Sequence, residues 1–581
     1  KKTQKRWFWP LVCAVSVVFG WWYLSIVTCA PLGGDDELIN LQNYYYITHT
    51  SFAQSVLDYL GDLWEQFSLQ NGRFRPFSSP PVRGLTSWFL GDLVGYRLYI
   101  LAWTYADIVL TAWLVGKASR NKKLGIACLC LLPMMFSVWQ DSTGNSLYSY
   151  GALVQSTLLP ALVAGLAVLR WQDTGHKRWA VLAGYCMFQC CATFEIGFTY
   201  IVPIFGLAWL YTDKARDALR LSIPALLGEC VTLAFNMGAR LMNTLRAAGI
   251  LAGSVSQIEG ISPNFDLPAI LRTWAMQMSA GFPLNAMLFG KMRPGKIYPV
   301  DVLCGVMVAG AAVAALAALD KLPNKKQNLL LFLSGLAMLS APALLIGLSP
   351  KYQQPGQVDW RHGYIPQTVE SFGVGLMALA VLVLIGCIPV GVDAAYGEGG
   401  VLLSAKIGFF RLQILPAKPK KPKKPKKPKQ QKPAASPAPS AAPDAPAEPA
   451  AKKKLALPGG LNGILRLVNL ALSTLGDLRR KLRVEELRLH VTFAGDDPAD
   501  AALHYGQAWA AVGALMPALD RLFVIKKRDI CPILDYNREQ MSVDAHLILT
   551  ITIGRALALG LKAGLGFLKL LNDSKKGGAN T

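Results

Sequence analysis

Residues 7–30 read WFWPLVCAVSVVFGWWYLSIVTCA, an apolar run of 24 residues without a charge. At 1.5 Å per residue such a helix is about 36 Å long, enough to cross the hydrocarbon core of a bilayer. The run is longer than the apolar part of a signal peptide, so it predicts a retained membrane-spanning helix. Residues 29–50 then read CAPLGGDDELINLQNYYYITHT, which places the carboxylates of Asp35, Asp36 and Glu37 where the chain leaves the membrane.

The composition of the whole chain is that of a membrane protein. Of its 581 residues 52% are hydrophobic and only 16% are charged, which is too apolar for a soluble protein of this size. The net charge is +23, but twelve lysines lie in two short runs at 418–432 and 452–454. Because more than half of the excess is local, we expect no nucleic-acid partner. The 11 cysteines lie mostly in apolar runs without zinc-ligand spacing, so we expect them to be packing residues.

Apolar segments of bilayer length recur along the first two thirds of the chain. The sequence therefore predicts a polytopic α-helical membrane domain, residues 1–392, with about ten spans. The predicted spans are 7–30, 98–116, 124–139, 151–169, 179–194, 197–212, 221–238, 298–319, 329–348 and 372–392.

Basic residues predict the orientation of these spans. KKTQKR precedes the first span, and KASRNKK, RWQDTGHKR, DKARDALR and DKLPNKK all fall in loops on the same side. Positive charge marks the cytoplasmic side, so the N-terminus is expected inside and the loops 31–97, 240–297 and 349–371 outside. Lys291 and Arg293 depart from this rule, which indicates either a slip in topology or an anionic ligand near the outer leaflet.

The region after the last span predicts a small cytoplasmic α+β domain. Residues 393–416 have a β-hairpin pattern, 417–456 form a Lys/Pro/Ala-rich linker, and 457–576 mix strands and helices and end in an amphipathic helix. The lysines of the linker are expected to contact anionic lipids of the inner leaflet, the alternative being a solvated spacer. They are Lys418, Lys420, Lys421, Lys423, Lys424, Lys426, Lys427, Lys429 and Lys432.

The first outside loop combines acids and arginines. A carboxylate at the membrane boundary can take a proton from an acceptor hydroxyl or hold a cation beside a phosphate. An arginine fork binds two phosphate oxygens at once, and NGRFRPFSSPPVRG supplies Arg73, Arg75 and Arg83. Glu195, at the outer end of a predicted span, is a further candidate. Taken alone, such charges are more often solvated, and an Asp after Gly-Gly can be a helix N-cap.

Over roughly residues 7–390 the sequence resembles polytopic glycosyltransferases of the GT-C fold, bacterial glucosyltransferase-like members that use polyprenyl-phosphate sugars. GGDDE matches the acidic motif of that fold in place and composition, and NGRFRPF resembles the Gly-Arg-aromatic stretch that follows. The resemblance implies that Asp35 or Asp36 is the base or the ligand of a divalent cation, the only cofactor suggested. A late outside loop, SPKYQQPGQVDWRHGYIPQTVESFG, adds candidate phosphate or sugar contacts, which are Lys351, Tyr352, Arg361, His362 and Tyr364.

Over roughly residues 372–576 the sequence resembles a second family, the uncharacterised YtfI-like, sporulation-linked membrane proteins of Firmicutes. The likeness rests on a helix ending in Pro, a β-hairpin, the Lys-Pro linker, GDDPADAALHYGQAWAAVGAL and KKRDICPILDY. That family has one span, so the resemblance implies either a natural fusion or two misjoined genes. His490, His504 and His546 are dispersed, so we expect a scaffold or regulatory role with an unknown protein partner rather than catalysis.

These patterns lead to one main function and two alternatives. The main one is a membrane glycosyltransferase of the bacterial cytoplasmic membrane, which moves a sugar from a polyprenyl-phosphate donor to a cell-envelope acceptor on the outer face. In it the arginines of loop 31–97, with Lys291 and Arg293, hold the phosphate. The first alternative is a non-enzymatic sporulation-associated membrane protein. The second is a transporter, for which the acids inside predicted spans, Asp107 and Glu229, are the argument.

Overall fold

The chain divides into two compact units, Lys1–Gly386 and Cys387–Thr581, close to the predicted boundary at residue 392. The computed structural model describes residues 4–29, 49–78, 93–136, 150–256, 264–283, 299–317, 325–360, 363–415, 461–495, 497–538 and 540–577, with a few isolated residues between them.

The described part of the first unit is helical. Its helices are α1 (Gln4–Leu24), α2 (Phe52–Phe67), α3 (Leu93–Ala118), α4 (Lys122–Leu131), α5 (Leu153–Thr174), α6 (Lys177–Thr193), α7 (Ile201–Thr212), α8 (Ala215–Ala247), α9 (Leu267–Ala280), α10 (Pro299–Ala317), α11 (Lys325–Leu348), α12 (Pro350–Gln353) and α13 (Gln367–Cys387).

Within the described residues, seven helical segments are long and apolar enough to cross a membrane. They are Phe8–Cys29, Leu93–Ala118, Tyr150–Thr174, Glu195–Thr212, Ala215–Ala247, Lys325–Leu348 and Gln367–Cys387. These apolar helices are consistent with the predicted multi-pass helical membrane protein, and seven of the predicted spans coincide with them.

The predicted count of about ten spans is not confirmed, because the described helices in three of the predicted spans are not among these seven. In the segment 124–139 the regular helix α4 ends at Leu131, and a 3-10 turn containing Pro133 follows it. Helix α6 ends at Thr193, where Phe194 turns to extended backbone. In the segment 298–319, the described apolar part of α10 is Gly305–Ala317, which is shorter than the seven candidate spans.

Small residues bring the helices close together. A Cβ added to Gly335 of α11 would lie 2.7 Å from the Gly373 carbonyl oxygen of α13, and one added to Gly373 would lie 2.6 Å from the Gly335 oxygen. Gly228 of α8 approaches the Gly184 carbonyl of α6 in the same way. Membrane helices lack a hydrophobic force between them, so such close backbone contact is a main source of their association.

Four of the basic loops meet at one end of this helical unit, here called the basic end. Lys117, in the last turn of α3, donates to Asp173 at the end of α5 over 2.7 Å. Tyr211 of α7 also donates to Asp173, and the Arg120 guanidinium lies 4.7 Å from the Tyr211 ring. Lys326 of α11 donates to the carbonyl of Asp213. The basic loops therefore lie on one side of the unit, as the sequence predicts; which side of the membrane this is stays a prediction.

The second unit is a small domain built on one mixed six-stranded sheet. Its strands are β1 (Pro389–Gly397), β2 (Gly400–Ile407), β3 (Phe410–Leu415), β4 (Arg483–Phe493), β5 (Val524–Leu534) and β6 (Ser542–Thr552), in the spatial order β3-β2-β1-β6-β4-β5. Only β4 and β5 pair in parallel, and α15 (Pro498–Leu522) connects them as a crossover helix. The predicted hairpin and the later strands thus belong to one sheet, although a long linker separates them in sequence.

Two amphipathic helices pack against each other in the same unit, α14 (Leu461–Lys481) and α16 (Ile553–Gly577). The terminal helix α16 matches the sequence prediction, whereas α14 was not predicted. The lysines of the linker, Lys418–Lys432, lie outside the described residues, so their contact with lipid stays a prediction.

Two of the three histidines of this domain lie beside different acids. The His546 Nε2 lies 2.7 Å from the Asp393 carboxylate, and the His490 Nε2 lies 3.0 Å from that of Asp529. Asp393 also pairs with Arg411, two strands away, at 3.3 Å. The two histidine contacts join neighbouring strands, as polar side-chain pairs of a sheet often do.

Candidate functional site

The arginine-bearing segment of the loop 31–97, which is predicted to lie outside, is fixed on helix α8. The Phe74 N–H donates to the Asn236 Oδ1 over 3.1 Å, and the Asn236 amide donates back to the Phe74 carbonyl over 3.4 Å. The Phe74 ring is fully buried and stacks on Phe235 with ring centroids 4.5 Å apart. Both the backbone and the side chain of Phe74 are therefore anchored, which fixes the positions from which Arg73 and Arg75 project.

Arg73 and Arg75 line a cavity of about 350 Å³ together with residues from four other segments. Glu195 comes from the 3-10 turn after α6, Arg240 from α8, and Lys351 from α12, and the fourth segment lies directly before α13. Among the described lining residues there are four cations and one acid. A cavity of this size and charge fits a small anionic group such as a phosphate with a neighbouring ring.

The cavity lies at the end of the helices opposite to the basic end. Helix α11 begins at Lys325 in the basic end, and Lys351 follows its last residue, Leu348. Its 24 residues span about 36 Å, slightly more than the hydrocarbon core of a bilayer. Helices α6 and α8 also begin among the basic loops and carry their cavity residues toward the far end. The two polar regions are therefore about one membrane thickness apart.

Arg75 forms the central ion pair of the cavity. Its guanidinium donates to the Glu195 carboxylate and stacks over the Phe194 ring at 4.8 Å. Its Nε is buried and has no hydrogen-bond partner among the described residues. Glu195 and Phe194 therefore fix the orientation of Arg75.

Arg73 is placed where positive charge is concentrated. Burial lowers the pKa of Arg73, the charges of Arg75 and Arg240 lower it further, and the Glu195 carboxylate acts in the opposite direction. Arginine nevertheless stays charged in proteins. The described side-chain charges that act on Arg73 are thus two cations and one acid.

An aromatic wall closes one side of the cavity. The Tyr352 ring lines it and packs against Tyr364 with centroids 4.5 Å apart, and the Lys351 ammonium lies 5.9 Å from the Tyr352 ring. Tyr150 contacts Tyr364 in turn at 6.0 Å. The flat apolar faces of such rings can pack against a sugar ring beside a bound phosphate.

A buried amide positions this wall. Gln277 of α9 accepts a hydrogen bond from the Tyr364 N–H over 2.8 Å and donates to both oxygens of Glu370 at 3.1 Å. Gly363 allows the segment before α13 to approach α9 closely, because a Cβ at this position would lie only 2.5 Å from the Ala280 Cβ. The segment before α13 is thereby held against α9, and Tyr364 with it.

The structure thus brings together six of the residues selected from the sequence. Arg73, Arg75, Glu195, Lys351 and Tyr352 line the cavity, and Tyr364 packs behind Tyr352. Their roles stay predictions. The other candidates, Asp35, Asp36, Glu37, Arg83, Lys291, Arg293, Arg361 and His362, lie outside the described residues.

Sequence reasoning missed Arg240, Gln277 and Glu370. Arg240 had a usable signal, because it is a cation at the outer end of a predicted span, like the arginines that were selected. Gln277 and Glu370 had no signal in the sequence, since the hydrogen bond between them joins positions 93 residues apart.

No group of three or more metal-ligating side chains is present in the part of the chain that the structure describes. A divalent cation at Asp35 and Asp36 falls outside that part and stays a prediction. The acids inside spans are not at the cavity. Both oxygens of Asp107 and the Oε2 of Glu229 are buried without a hydrogen-bond partner among the described residues.

Comparison with known proteins gives one match, in the second unit. Residues 491–538 match a family described as "Protein of unknown function (DUF2953)". No curated protein and no solved structure matches the chain significantly. The match covers the end of β4, α15 and β5, and it supports an uncharacterised domain there. The resemblance of the first unit to GT-C glycosyltransferases has no matching relative or structure.

Proposed function

We propose that this protein is a membrane glycosyltransferase, which moves a sugar from a polyprenyl-phosphate donor to a cell-envelope acceptor on the outer face. One observation carries the proposal. Arg73, Arg75, Arg240 and Lys351 come from three distant parts of the chain and surround one cavity. The basic loops at the other end of the helices support an outward-facing cavity, because such loops usually face the cytoplasm.

In this proposal the four cations bind the phosphate of the donor. Arginine forks and a lysine ammonium stabilise the negative charge that grows on the departing phosphate, as the acceptor oxygen bonds to the anomeric carbon and the bond from that carbon to the phosphate oxygen breaks. The polyprenyl chain stays in the lipid, so the cavity has to accept only the phosphate and the sugar. Tyr352 offers a ring face to the sugar, and Glu195 fixes the orientation of Arg75.

The base of the proposed reaction is Asp35 or Asp36, which would take the proton of the acceptor hydroxyl. The same carboxylates would alternatively hold a divalent cation beside the phosphate. The C-terminal domain has a scaffold role in this proposal. Its linker lysines hold it near anionic lipids, and its sheet binds a protein partner.

The test is sugar transfer by the full-length protein in membranes, with polyprenyl-phosphate [14C]glucose as donor and isolated cell envelope as acceptor. Asp35→Asn or Asp36→Asn should abolish transfer while leaving the amount of inserted protein unchanged, because a loop at the surface tolerates such a change. Arg73→Gln and Lys351→Gln should each raise the KM for the donor about tenfold or more, as expected when a charge-assisted hydrogen bond is lost. Arg272→Gln, at an exposed position of α9, is the matched control and should behave as wild type.

Two results would separate this proposal from a non-enzymatic role. Wild-type transfer by both aspartate variants and their double variant would refute the assignment of the base. A wild-type protein that binds the donor through Arg73 and Lys351 but transfers no sugar to any envelope fraction would leave a lipid-phosphate binding protein, as in the non-enzymatic alternative.

A further inference from the structure

A second and larger cavity lies at the basic end, on the surface of the helical unit. This groove, called here the membrane groove, has a volume of about 1080 Å³ and is formed by α3, α4, α5, α6 and the end of α7. Along its length it is apolar, with Val109, Trp113, Ile126, Val163 and Leu166 among its lining residues. Nothing in the proposed transfer reaction uses it.

Cations gather at one end of the membrane groove. Its described lining residues include Lys117, Arg120, Lys122 and Arg170 and contain no acid. Asp173 pairs with Lys117 and offsets one of the four charges. The other three are held near the mouth of the groove by helix ends and by the stacking of Arg120 on Tyr211. The residues that form this end are thus the ones that the positive-inside pattern places at the cytoplasmic leaflet.

The groove also contains an unused hydrogen-bond donor. Trp179 lines it, and its indole N–H is buried without a hydrogen-bond partner among the described residues. A buried polar group is normally satisfied by protein, water or a ligand. An acceptor inside the groove, such as the ester carbonyl of a lipid, would satisfy this donor.

We propose that the membrane groove binds one anionic phospholipid. Its phosphate and net negative headgroup lie among Arg120, Lys122 and Arg170, an ester carbonyl accepts from Trp179, and its acyl chains lie along the apolar part. Charge complementarity selects the ligand, because the excess of cations favours a lipid with net negative charge over a zwitterionic one. This site differs from the lysine linker, and it does not depend on the proposed transfer reaction.

The test is native mass spectrometry of the full-length protein in detergent, titrated with dioleoyl phosphatidylglycerol or dioleoyl phosphatidylcholine. The wild-type protein should retain one phosphatidylglycerol at concentrations where it retains little phosphatidylcholine. The variant R120N/K122Q/R170Q should bind phosphatidylglycerol about tenfold or more weakly, since each cation near an anionic lipid contributes a favourable interaction. Asn is chosen at position 120 because Arg120 has a φ of 52°, a conformation that Asn tolerates.

A matched control removes three cations that belong to the same end but do not line the groove. K177Q/K214Q/R216Q should bind phosphatidylglycerol as the wild type does, within about twofold. Val163→Trp fills the apolar part and should weaken binding while leaving every cation in place, so it tests the groove even if the triple variant fails to fold. The proposal is overturned if wild type binds the two lipids equally, if R120N/K122Q/R170Q keeps wild-type affinity, or if Val163→Trp leaves binding unchanged.

Discussion

At the scale of the residue, Gln277 is a buried amide whose two ends serve two different segments. Replacing it by Leu removes both hydrogen bonds and leaves the buried Glu370 carboxyl and the Tyr364 N–H without the partner they have now. An unsatisfied buried polar group costs about 1–3 kcal/mol, so we expect Gln277→Leu to lower the free energy of unfolding by about that amount. The melting temperature of the purified protein, followed by circular dichroism, measures the effect.

Two further variants sharpen this test. Gln277→Glu keeps the size of the side chain but sets an acid against Glu370, so it should destabilise the protein at least as much. Gln357→Leu, at an exposed position of the loop 349–371 that contains Tyr364, should change the melting temperature little. If Gln277→Leu melts with the wild type, the hydrogen bonds to Tyr364 and Glu370 do not stabilise the fold.

Residues that bear charge in a short polar loop can be selected from sequence, whereas buried partners cannot. Arg73 and Arg75 were selected because an arginine fork suits phosphate, and Lys351 because its loop resembles one of GT-C glycosyltransferases; the three line one cavity. Asn236 lies near the end of the predicted span 221–238, where its amide looks like any polar interruption. Its role became visible only when Phe74, 162 positions away, was found hydrogen-bonded to it.

At the scale of the element, hydropathy predicts where helices form better than whether they span. The segment 179–194 gave helix α6, but α6 has 17 residues and stops where Phe194 adopts an extended backbone. Hydropathy cannot register that stop, since Phe194 is itself apolar. The single sheet of the second unit could not be predicted from local sequence either. The pairing of β1 with β6 joins strands about 150 residues apart, and no local pattern encodes it.

Helix α13 offers an internal comparison of a tight and an open position. Gly373→Val should lower the melting temperature, because its Cβ would lie 2.7 Å from the Leu339 backbone nitrogen and overpacking costs about 1–3 kcal/mol. A Cβ at Gly386 would meet no atom within 4 Å, so Gly386→Val should change the melting temperature little. The two variants share helix and residue type, so a difference in thermal unfolding reports the contact with α11. Equal melting of both variants would refute that contact.

At the scale of the whole molecule, the first unit has a cluster of cations at each end. Lys117 pairs with Asp173 at the basic end, and Arg75 pairs with Glu195 in the cavity at the far end. That the basic loops meet at one end was predictable, because the positive-inside pattern sorts loops by side without any knowledge of packing. The far cavity was not predictable, since it needs the mutual arrangement of several distant segments.

The orientation of the molecule is the prediction on which the outer-face chemistry depends. A reporter enzyme fused after Arg83 should be reached by an impermeant reagent added outside intact cells, and the same reporter fused after Lys326 should not. The physical reason is that the loops rich in Lys and Arg, which meet at the basic end, resist transfer across the membrane. Lys326 donates to the Asp213 carbonyl at the basic end. The side of the membrane found for Lys326 is therefore also the side of the loop between α7 and α8. Labelling of both fusions only after the cells are opened would place the cavity arginines in the cytoplasm. A polyprenyl-phosphate donor used on the outer face would then be ruled out.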